Sequence, residues 1–307
     1  MAASNHEPRS RLDELATEAW NADAADLDLR STLELVRLMN AEDAGVPAAV
    51  GAAARSIAAA VDAIAERLRT GGRLVYVGAG TSGRLAALDA AECESTFSTA
   101  PGQVVALMAG GAAGSPVEQE AAEDDAAAGE RELVGLGISA ADAVVGVSAS
   151  GRTPYVLGAM RHACSAGALT VAVVSVADSE LAQLTEHTIS VVVGPEIIAG
   201  STRLKAGTAQ KLVLNMLSTL SMVRIGKTFG NLMVDVYATN EKLHARVRRV
   251  VRHATGASAD AVEQALAESE GDAKVAIVSL LGETDAVTAR ERLSAAGGLI
   301  RRAVEPR

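Results

Sequence analysis

Aromatic residues are scarce in this 307-residue sequence, which has one Trp, three Tyr and two Phe. Surfaces that bind nucleic acids commonly stack bases on aromatic side chains and attract phosphates with Lys and Arg. The formal net charge here is −10, which opposes that attraction. We therefore expect no nucleic-acid partner, although a few backbone N–H groups can still bind one small phosphate.

Cysteines, histidine clusters and long apolar runs are also lacking. Cys93 and Cys164 are the only cysteines, too few for a disulfide framework. No stretch reaches the ~18 consecutive apolar residues of a membrane span, and residues 1–20 lack the apolar segment of a signal peptide. The five histidines show no metal-ligand spacing. These absences predict a cytoplasmic protein with no membrane partner, no metal and no cofactor.

Five short apolar runs, rich in β-branched residues, alternate with segments long enough for helices. They lack strict alternation of polar and apolar residues, which is typical of strands buried on both faces of a parallel sheet. Such repeated βαβ connections predict a doubly wound α/β fold with a five-stranded parallel sheet. A common strand order of such sheets, 2-1-3-4-5, is the one we expect. The runs are residues 73–77, 103–108, 143–148, 169–175 and 188–193.

Helical patterns lie before and after these runs. An Ala-rich helix is predicted over residues 47–69 and a long, widely apolar helix over residues 201–224. From residue 241 the strand signals stop and glycine-separated helical runs follow. We expect one domain over residues 1–240, with an N-terminal helical extension, and a linker helix with a small three-helix bundle over residues 241–307. The C-terminal runs are residues 241–254, 258–269, 272–281 and 285–296.

The first predicted strand leads into a glycine-rich loop, residues 78–84, in which Thr81 and Ser82 add hydroxyl donors. The loop fits the G-x-G-x-x-G pattern of dinucleotide sites. Such a site also needs an acidic residue at the end of the second strand, and residues 109–111 there are Ala-Gly-Gly. The loop therefore indicates a phosphate site without a nicotinamide cofactor.

A second hydroxyl-rich loop, residues 148–154, follows the third strand. In the predicted strand order, the first and third strands flank the topological switch point, where α/β proteins bind ligands. Each loop taken singly is also explained as a helix cap. Together they predict a phosphate cradle, formed by Thr81, Ser82, Gly83, Ser148, Ser150, Gly151 and Thr153.

A third polar segment precedes the long helix predicted over residues 201–224. Ser201 or Thr202 is the expected helix cap. Arg203 and Lys205 would then lie in the first turn, where the helix dipole disfavours cations. A bound anion would remove this conflict, although both side chains can also simply reach solvent. The residues themselves thus predict a small-molecule phosphate site in an α/β domain.

Several segments resemble the sugar isomerase (SIS) domain family and, within it, its etherases. The likeness extends from about residue 31 to the C-terminus. The resemblance implies an SIS-type sheet, a C-terminal bundle similar to ubiquitin-associated (UBA) domains, and assembly as a homodimer, for which the Ala-rich helix is a candidate contact. The segments are residues 74–93, 148–155, 200–211, 229–235 and 239–244.

The resemblance also implies a reaction and the residues that perform it. The substrate would be N-acetylmuramic acid 6-phosphate and the products N-acetylglucosamine 6-phosphate and D-lactate, as in cell-wall recycling. Glu92 matches the proton donor of the family and Glu123 its second acid, for which we expect a base role. Glu94 and Asp89 are candidate neighbours that would keep Glu92 protonated. Further substrate contacts are expected from Glu196, Ser201 and Lys205.

Two alternatives remain open on the sequence. A phosphosugar isomerase would use the same phosphate cradle with a different acid–base pair. A non-enzymatic sensor of sugar phosphates is the other, because the glucokinase regulatory protein shares the type of motif seen at residues 200–205. That relative carries two sugar-binding domains, whereas this chain has room for one.

Overall fold

The computed structural model describes residues 17–111, 113–235 and 241–305. They form two compact units. The first contains the described residues up to Ala90 together with Val104–Leu217, and the second contains Ala91–Gln103 and the described residues from Ser218 onward. The domain boundary predicted at residue 240 and the motif residues Thr239 and Asn240 lie outside the described residues. The division into residues 1–240 and 241–307 stays a prediction.

A five-stranded parallel sheet with the order β2-β1-β3-β4-β5 organises the first unit, which confirms the predicted α/β class and strand order. Gly78 lies opposite Met108 on one side and Val147 on the other. The chain segments that leave the first and third strands therefore start at the same edge of the sheet. The strands are β1 (Leu74–Gly78), β2 (Val104–Met108), β3 (Ala143–Val147), β4 (Leu169–Val174) and β5 (His187–Ser190).

The central strands β1, β3 and β4 are buried along their whole length. Their side chains pack against helices, as expected for a sheet covered on both faces. Fully burying one such Val, Ile or Leu side chain contributes roughly 1.5–3 kcal/mol. Tyr76 on β1 and Tyr155 are among the largest fully buried side chains, so scarce aromatic residues still help to fill this core.

The helices of the first unit connect and flank the strands. Two of them, α4 and α9, continue into residues of the second unit. They are α1 (Thr32–Asp43), α2 (Val46–Ala52), α3 (Ala54–Arg69), α4 (Gly80–Phe97), α5 (Pro116–Glu123), α6 (Ala126–Gly135), α7 (Pro154–Ser165), α8 (Glu180–Leu184) and α9 (Lys205–Arg224).

The prediction of one continuous helix over residues 47–69 was wrong. The structure breaks it at Ala53 into α2 and α3, with a bend of 58° between Thr32–Ala52 and Ala54–Arg69. Gly51 weakens the helix just before the break. Beyond it, α3 buries one face, including Ile57, against the sheet.

The predicted start of the long helix was also wrong. α9 begins at Lys205 rather than residue 201, because Glu196 caps it from outside. One carboxylate oxygen of Glu196 accepts a hydrogen bond from the backbone N of Lys205 at 3.0 Å, and the other from the N of Ala206 at 2.9 Å. A carboxylate satisfies two exposed donors and favours the helix dipole, so Ser201 and Thr202 remain in the preceding loop.

The second unit contains the predicted C-terminal helices around an apolar core that includes Val251, Ile277 and Ala289. A short antiparallel hairpin, not anticipated from the sequence, precedes them. The elements are β6 (Thr228–Phe229), β7 (Leu232–Met233), α10 (Glu241–Thr255), α11 (Ala259–Glu268), α12 (Ala273–Leu281), α13 (Ala286–Ala295) and α14 (Ile300–Val304).

Within residues 17–111, 113–235 and 241–305, no single helix is long and apolar enough to cross a bilayer. One bent pair, Thr32–Ala52 with Ala54–Arg69, meets the criteria by length and composition only.

Candidate functional site

The glycine-rich segment predicted as the first loop forms the first turn of α4 from Gly80 onward, and this turn is packed tightly between β2 and α9. A Cβ atom on Gly83 would lie 2.5 Å from Cγ of Met108 and 2.8 Å from the carbonyl oxygen of Gly78, so this position needs glycine. Ser82 Oγ donates to Oε1 of Gln210 on α9 at 2.9 Å. Thr81, the other hydroxyl residue of this loop, is half-buried beside it.

Gln210 was not among the residues singled out from the sequence, although it lies in one of the matching segments. It is 2% exposed, and its Nε2 has no hydrogen-bond partner within the described part of the chain. Exchanging the amide nitrogen and oxygen by a half-turn would let Nε2 donate to Ser82 Oγ. The serine proton would then be available for a ligand.

The second loop gathers its hydroxyl groups into one cluster at the end of β3. Ser148 Oγ lies 2.9 Å from Thr153 Oγ1 and 3.5 Å from Ser150 Oγ, and it accepts a hydrogen bond from the backbone N of Gly151 at 3.0 Å. Gly151 has φ +65°, and a Cβ there would lie 2.2 Å from Oγ of Ser179. The structure therefore brings four of the predicted phosphate residues together.

Glu123, at the end of α5, joins this cluster. Thr153 Oγ1 donates to its Oε1 at 3.3 Å. Burial raises the pKa of Glu123 above its ordinary value, the hydrogen bond from Thr153 opposes that rise, and the nearby charges of Asp124 and Glu120 add to it. A carboxyl group with raised proton affinity beside hydroxyl donors is suited to accept or donate a proton.

Gln119 holds α5 in place. Its Oε1 accepts from the guanidinium of Arg84 at 2.7 Å, and its Nε2 donates to the carbonyl oxygens of Gly111 and Gly114, both at 3.0 Å. These bonds connect the helix that carries Glu123 to the helix that begins in the first loop. Nothing in the local sequence distinguishes this glutamine from one on a solvated helix face.

Lys205 and Glu196 are both buried at the start of α9, and Glu196 is only 1% exposed. The ammonium group of Lys205 forms an ion pair with the carboxylate of Glu42 on α1. The hydrogen bond that Lys205 donates within this ion pair lowers the pKa of Glu42. The conflict between a cation and the helix dipole is thus resolved by carboxylates of the protein, and the predicted substrate contacts of Glu196, Ser201 and Lys205 stay predictions.

Relatives match nearly the whole chain. The N-acetylmuramic acid 6-phosphate etherase of Streptomyces coelicolor is 55% identical over 306 residues, which cover 99% of this chain and 98% of the relative. That of Rubrobacter xylanophilus is 57% identical over 285 residues, covering 93% of this chain and 95% of the relative. The chain belongs to the N-acetylmuramic acid 6-phosphate etherase family. The family predicted from the sequence is confirmed.

Family models and a solved structure agree with the etherase fold. Residues 56–164 match the N-terminal SIS domain of the glucokinase regulatory protein, and residues 126–220 match the SIS domain. A phosphoheptose isomerase structure from Francisella tularensis has a TM-score of 0.51 at 16% identity, covering 63% of this chain and 100% of the other. At that identity the likeness shows the fold alone.

Glu92, the proton donor expected for an etherase, is exposed on α4, and so is Glu94. Asp89, one candidate neighbour, is buried and accepts hydrogen bonds from the hydroxyl of Tyr76 at 2.9 Å and from Nδ2 of Asn215 at 3.0 Å. Both of its oxygens therefore have donors inside the first unit. The roles of Glu92 and Glu123 stay predictions.

The second unit of this etherase-family chain contains a cavity of about 580 Å³. Acidic and basic side chains line it, including Lys227, Asp235 and His244, and Lys227 pairs with Asp235 at 3.0 Å. None of the predicted phosphate residues lines this cavity. It therefore does not mark the site predicted from the sequence.

Proposed function

We propose that this protein cleaves the D-lactyl ether of N-acetylmuramic acid 6-phosphate, giving N-acetylglucosamine 6-phosphate and D-lactate in the catabolism of N-acetylmuramate. Membership of the etherase family supports this function. The observation that carries it is the hydrogen bond between Thr153 and Glu123. It joins a hydroxyl cluster suited to phosphate with a carboxyl group suited to proton transfer.

The chemistry of the ether explains why two carboxyl groups are needed. Direct displacement is slow because an alkoxide is a poor leaving group. When the sugar ring opens, the C1 aldehyde acidifies the C2–H bond. A base takes that proton, the C2=C3 double bond forms, and the C3–O bond breaks as an acid protonates the lactyl oxygen. Water then adds its oxygen to C3, and a proton returns to C2.

Glu123 is assigned the base role. Its raised pKa makes its carboxylate a stronger base than that of an ordinary glutamate. Glu92 is assigned the leaving-group proton. A donor must hold its proton near neutral pH, which burial favours. Since Glu92 is exposed in the single chain, this role requires bound substrate or a second subunit to cover it.

The phosphoryl group is assigned to the two loops at the ends of β1 and β3. Hydroxyl groups and backbone N–H groups at helix starts are effective donors to phosphate oxygens. Lys205 and Glu196 would support the sugar from the start of α9, with Glu196 acting mainly through the helix that it caps. The assigned residues are Thr81, Ser82, Gly83, Ser148, Ser150, Gly151, Thr153, Glu196, Ser201 and Lys205.

The function is tested by incubating the purified protein with N-acetylmuramic acid 6-phosphate and measuring D-lactate and N-acetylglucosamine 6-phosphate. Equal amounts of both products are expected. Interconversion of aldose and ketose phosphates without lactate would instead indicate an isomerase. Binding of the sugar phosphate without turnover would indicate a sensor.

The assignment of Glu92 has a matched control at another exposed glutamate, on α6. Glu92→Gln removes the acidic proton with little change in shape and should lower the rate of lactate release by about 10²–10⁴-fold. Glu130→Gln, at an exposed position of α6, should keep a rate close to that of the unmodified protein. Equal rates for the two variants would remove Glu92 from the mechanism.

A homodimer is also proposed, with α1 as its contact in place of the Ala-rich helix expected from the sequence. Unlike α3, whose apolar face is buried in its own chain, α1 exposes Leu33 by 58% and Val36 by 60%. Val36→Glu should shift the molar mass in light scattering from dimer to monomer. Val287→Glu makes the same change at an exposed valine of α13 and should leave a dimer. A monomeric unmodified protein would contradict the proposal.

A cytoplasmic location is proposed as well. Cys93 and Cys164 do not form a disulfide with each other, which fits a reducing compartment. Fractionation of cells is expected to recover the protein with cytoplasmic markers, and recovery with the envelope would contradict this location.

A further inference from the structure

The hydroxyl group of Thr153 does not cap the helix that follows it. Thr153 occupies the position just before α7, where threonine commonly accepts a hydrogen bond from the new helix. Here its side chain makes no such bond to α7. It is 8% exposed, and its Oγ1 lies 2.9 Å from Ser148 Oγ and 3.3 Å from Glu123 Oε1. The group is therefore positioned between the hydroxyl cluster and the carboxyl group.

When Glu123 is ionised, the number of hydroxyl protons fixes the direction of this series of hydrogen bonds. An ionised carboxylate only accepts, so Thr153 donates its single proton to Glu123. Thr153 must then accept from Ser148, whose oxygen in turn accepts from the backbone N of Gly151 at 3.0 Å. Each donor in the chain thus points towards Glu123 and stabilises its charged form.

A phosphoryl group bound at these hydroxyls would reverse that preference. Its oxygens are acceptors, so Ser148 and Thr153 can bind it only by donating their protons to it. Thr153 then has no proton left for Glu123. The carboxylate loses its hydrogen bond and gains a negative neighbour, and both changes favour its protonated form.

We propose that Thr153 couples phosphate binding to Glu123: a bound phosphoryl group accepts the hydrogen bond that Thr153 otherwise donates to Glu123, and this leaves the carboxylate a stronger base. This inference rests on the proposed phosphate site and deepens it. Thr153 is a positioning residue in this role, because it acts on the substrate carbon only through Glu123. The base would gain its full strength only when a phosphorylated substrate is present.

The groups around Glu123 allow a ligand at Thr153 to change its pKa. The charged groups that act on it are Asp124 and Glu120, both acidic, and Thr153 is the donor that opposes burial. α7 packs against α5, and its first titratable side chain, Tyr155, donates to Glu132 on α6 at 2.6 Å. Thr153, just before α7, is thus the residue through which a bound ligand can change the pKa of the Glu123 carboxyl group.

The direct test is an NMR titration of the Glu123 carboxyl carbon with and without saturating sulfate, a dianion that does not itself titrate over this range. The signal is assigned by its loss in Glu123→Gln. In the unmodified protein and in Thr153→Ser, which keeps the hydroxyl, sulfate should raise the pKa by roughly one unit. Thr153→Val should begin with a higher pKa and respond to sulfate much less.

Steady-state kinetics give an independent readout. The acidic limb of kcat/KM reports the free enzyme and that of kcat the substrate complex. We expect the limb of kcat to lie roughly one pH unit above that of kcat/KM in the unmodified protein and in Thr153→Ser. In Thr153→Val the two limbs should lie much closer together, because only the charge of the phosphoryl group then acts on Glu123.

Each remaining outcome contradicts a different part of the inference. An equal sulfate-induced rise in Thr153→Val would show direct charge repulsion and remove Thr153 from the coupling. Sulfate that perturbs the Ser148 signals without moving Glu123 would overturn the coupling and leave the phosphate site intact. Sulfate that leaves the Ser148 signals unchanged in all three proteins would overturn the phosphate site itself, and lactate release would still decide the proposed function separately.

Discussion

Strands β1 and β3 have a polar network at each of their two ends, one at the amino edge of the sheet and one at the carboxyl edge. Each network contains a carboxylate, and the two carboxylates differ in how many hydrogen bonds they accept. At the amino edge, Asp142 accepts from the backbone N, Nε and Nη2 of Arg73 at 2.9–3.0 Å and from the N of Ser139 at 2.9 Å. At the carboxyl edge, Glu123 accepts from Thr153 at 3.3 Å.

This difference moves the two pKa values in opposite directions. Burial acts to raise the pKa of Asp142, but hydrogen bonds from Arg73 and Ser139 outweigh it and lower the value from 3.8 to about 2. Burial also raises the pKa of Glu123, and there the hydrogen bond from Thr153 does not outweigh it. Five donors, which include the Ser139 hydroxyl at 3.3 Å, make Asp142 a structural carboxylate, whereas one weak donor leaves Glu123 able to react.

The largest expected effect is the loss of activity in Glu123→Gln. Removing the base should lower kcat by about 10²–10⁴-fold and abolish the acidic limb of the pH profile. The free energy of unfolding should stay equal or rise slightly, because a neutral amide is easier to bury than a charge. Glu130→Gln, at an exposed position of α6, is the control and should change neither quantity. A kcat close to that of the unmodified protein in Glu123→Gln would contradict the claim that Glu123 is the reactive carboxylate of the two.

At the amino edge the expected loss is of stability. Asp142→Asn leaves the Arg73 guanidinium without its carboxylate and should lower the free energy of unfolding by about 3 kcal/mol, with kcat little changed. The exposed pair of Glu180 and Arg161 offers a control, because Glu180→Gln should cost less than about 1 kcal/mol. Denaturant unfolding measures both values. Equal costs for the two substitutions would show that the buried pair has no special weight.

The pH dependence of stability should separate the edges further. The folded pKa of Asp142 lies below its ordinary value, so its stabilisation is present above pH 3.8 and is lost as the pH falls through about 2. The difference in unfolding free energy between the unmodified protein and Asp142→Asn should shrink by about 2 kcal/mol over that range. For Glu123, whose pKa is raised, the sign is opposite: Glu123→Gln should lose its advantage as the pH falls. Matching trends for both substitutions would contradict the comparison.

The smallest expected effect is that of Gly151→Ala at the carboxyl edge. Its positive φ should cost about 1–2 kcal/mol of stability, and the new methyl group must displace Ser179. KM for the sugar phosphate should rise, because the Gly151 N–H positions Ser148. Gly135→Ala, where an added Cβ meets no atom within 4 Å, should leave KM unchanged. An unchanged KM in Gly151→Ala would separate this loop from phosphate binding.

Much of the architecture was predictable because its signals are local. Buried strands show as short apolar runs, and the parallel order places the loops after β1 and β3 at one edge. The errors occurred where a distant residue decides a local feature. The cap of α9 comes from Glu196 instead of Ser201 or Thr202, and the break at Ala53 lets α3 pack against the sheet.

The candidate site was predictable in part for the same reason. The hydroxyl loops are contiguous in sequence, so Ser148 and Thr153 were found as a group. Gln119, Gln210 and Glu42 were missed, since each acts through partners far along the chain. Lys205 and Glu42, for example, are 163 positions apart.

The sequence by itself determined the strands of the sheet and the two serine-bearing loops, because hydrophobic pattern and turn chemistry act over a few residues. The tertiary structure decided the character of the carboxylates. The proton affinity of Glu123 depends on its burial and on Thr153, 30 positions away, and that of Asp142 on Arg73, 69 positions away. Burial and donor count are properties of the packed chain, so folding must bring these groups together before their chemistry differs.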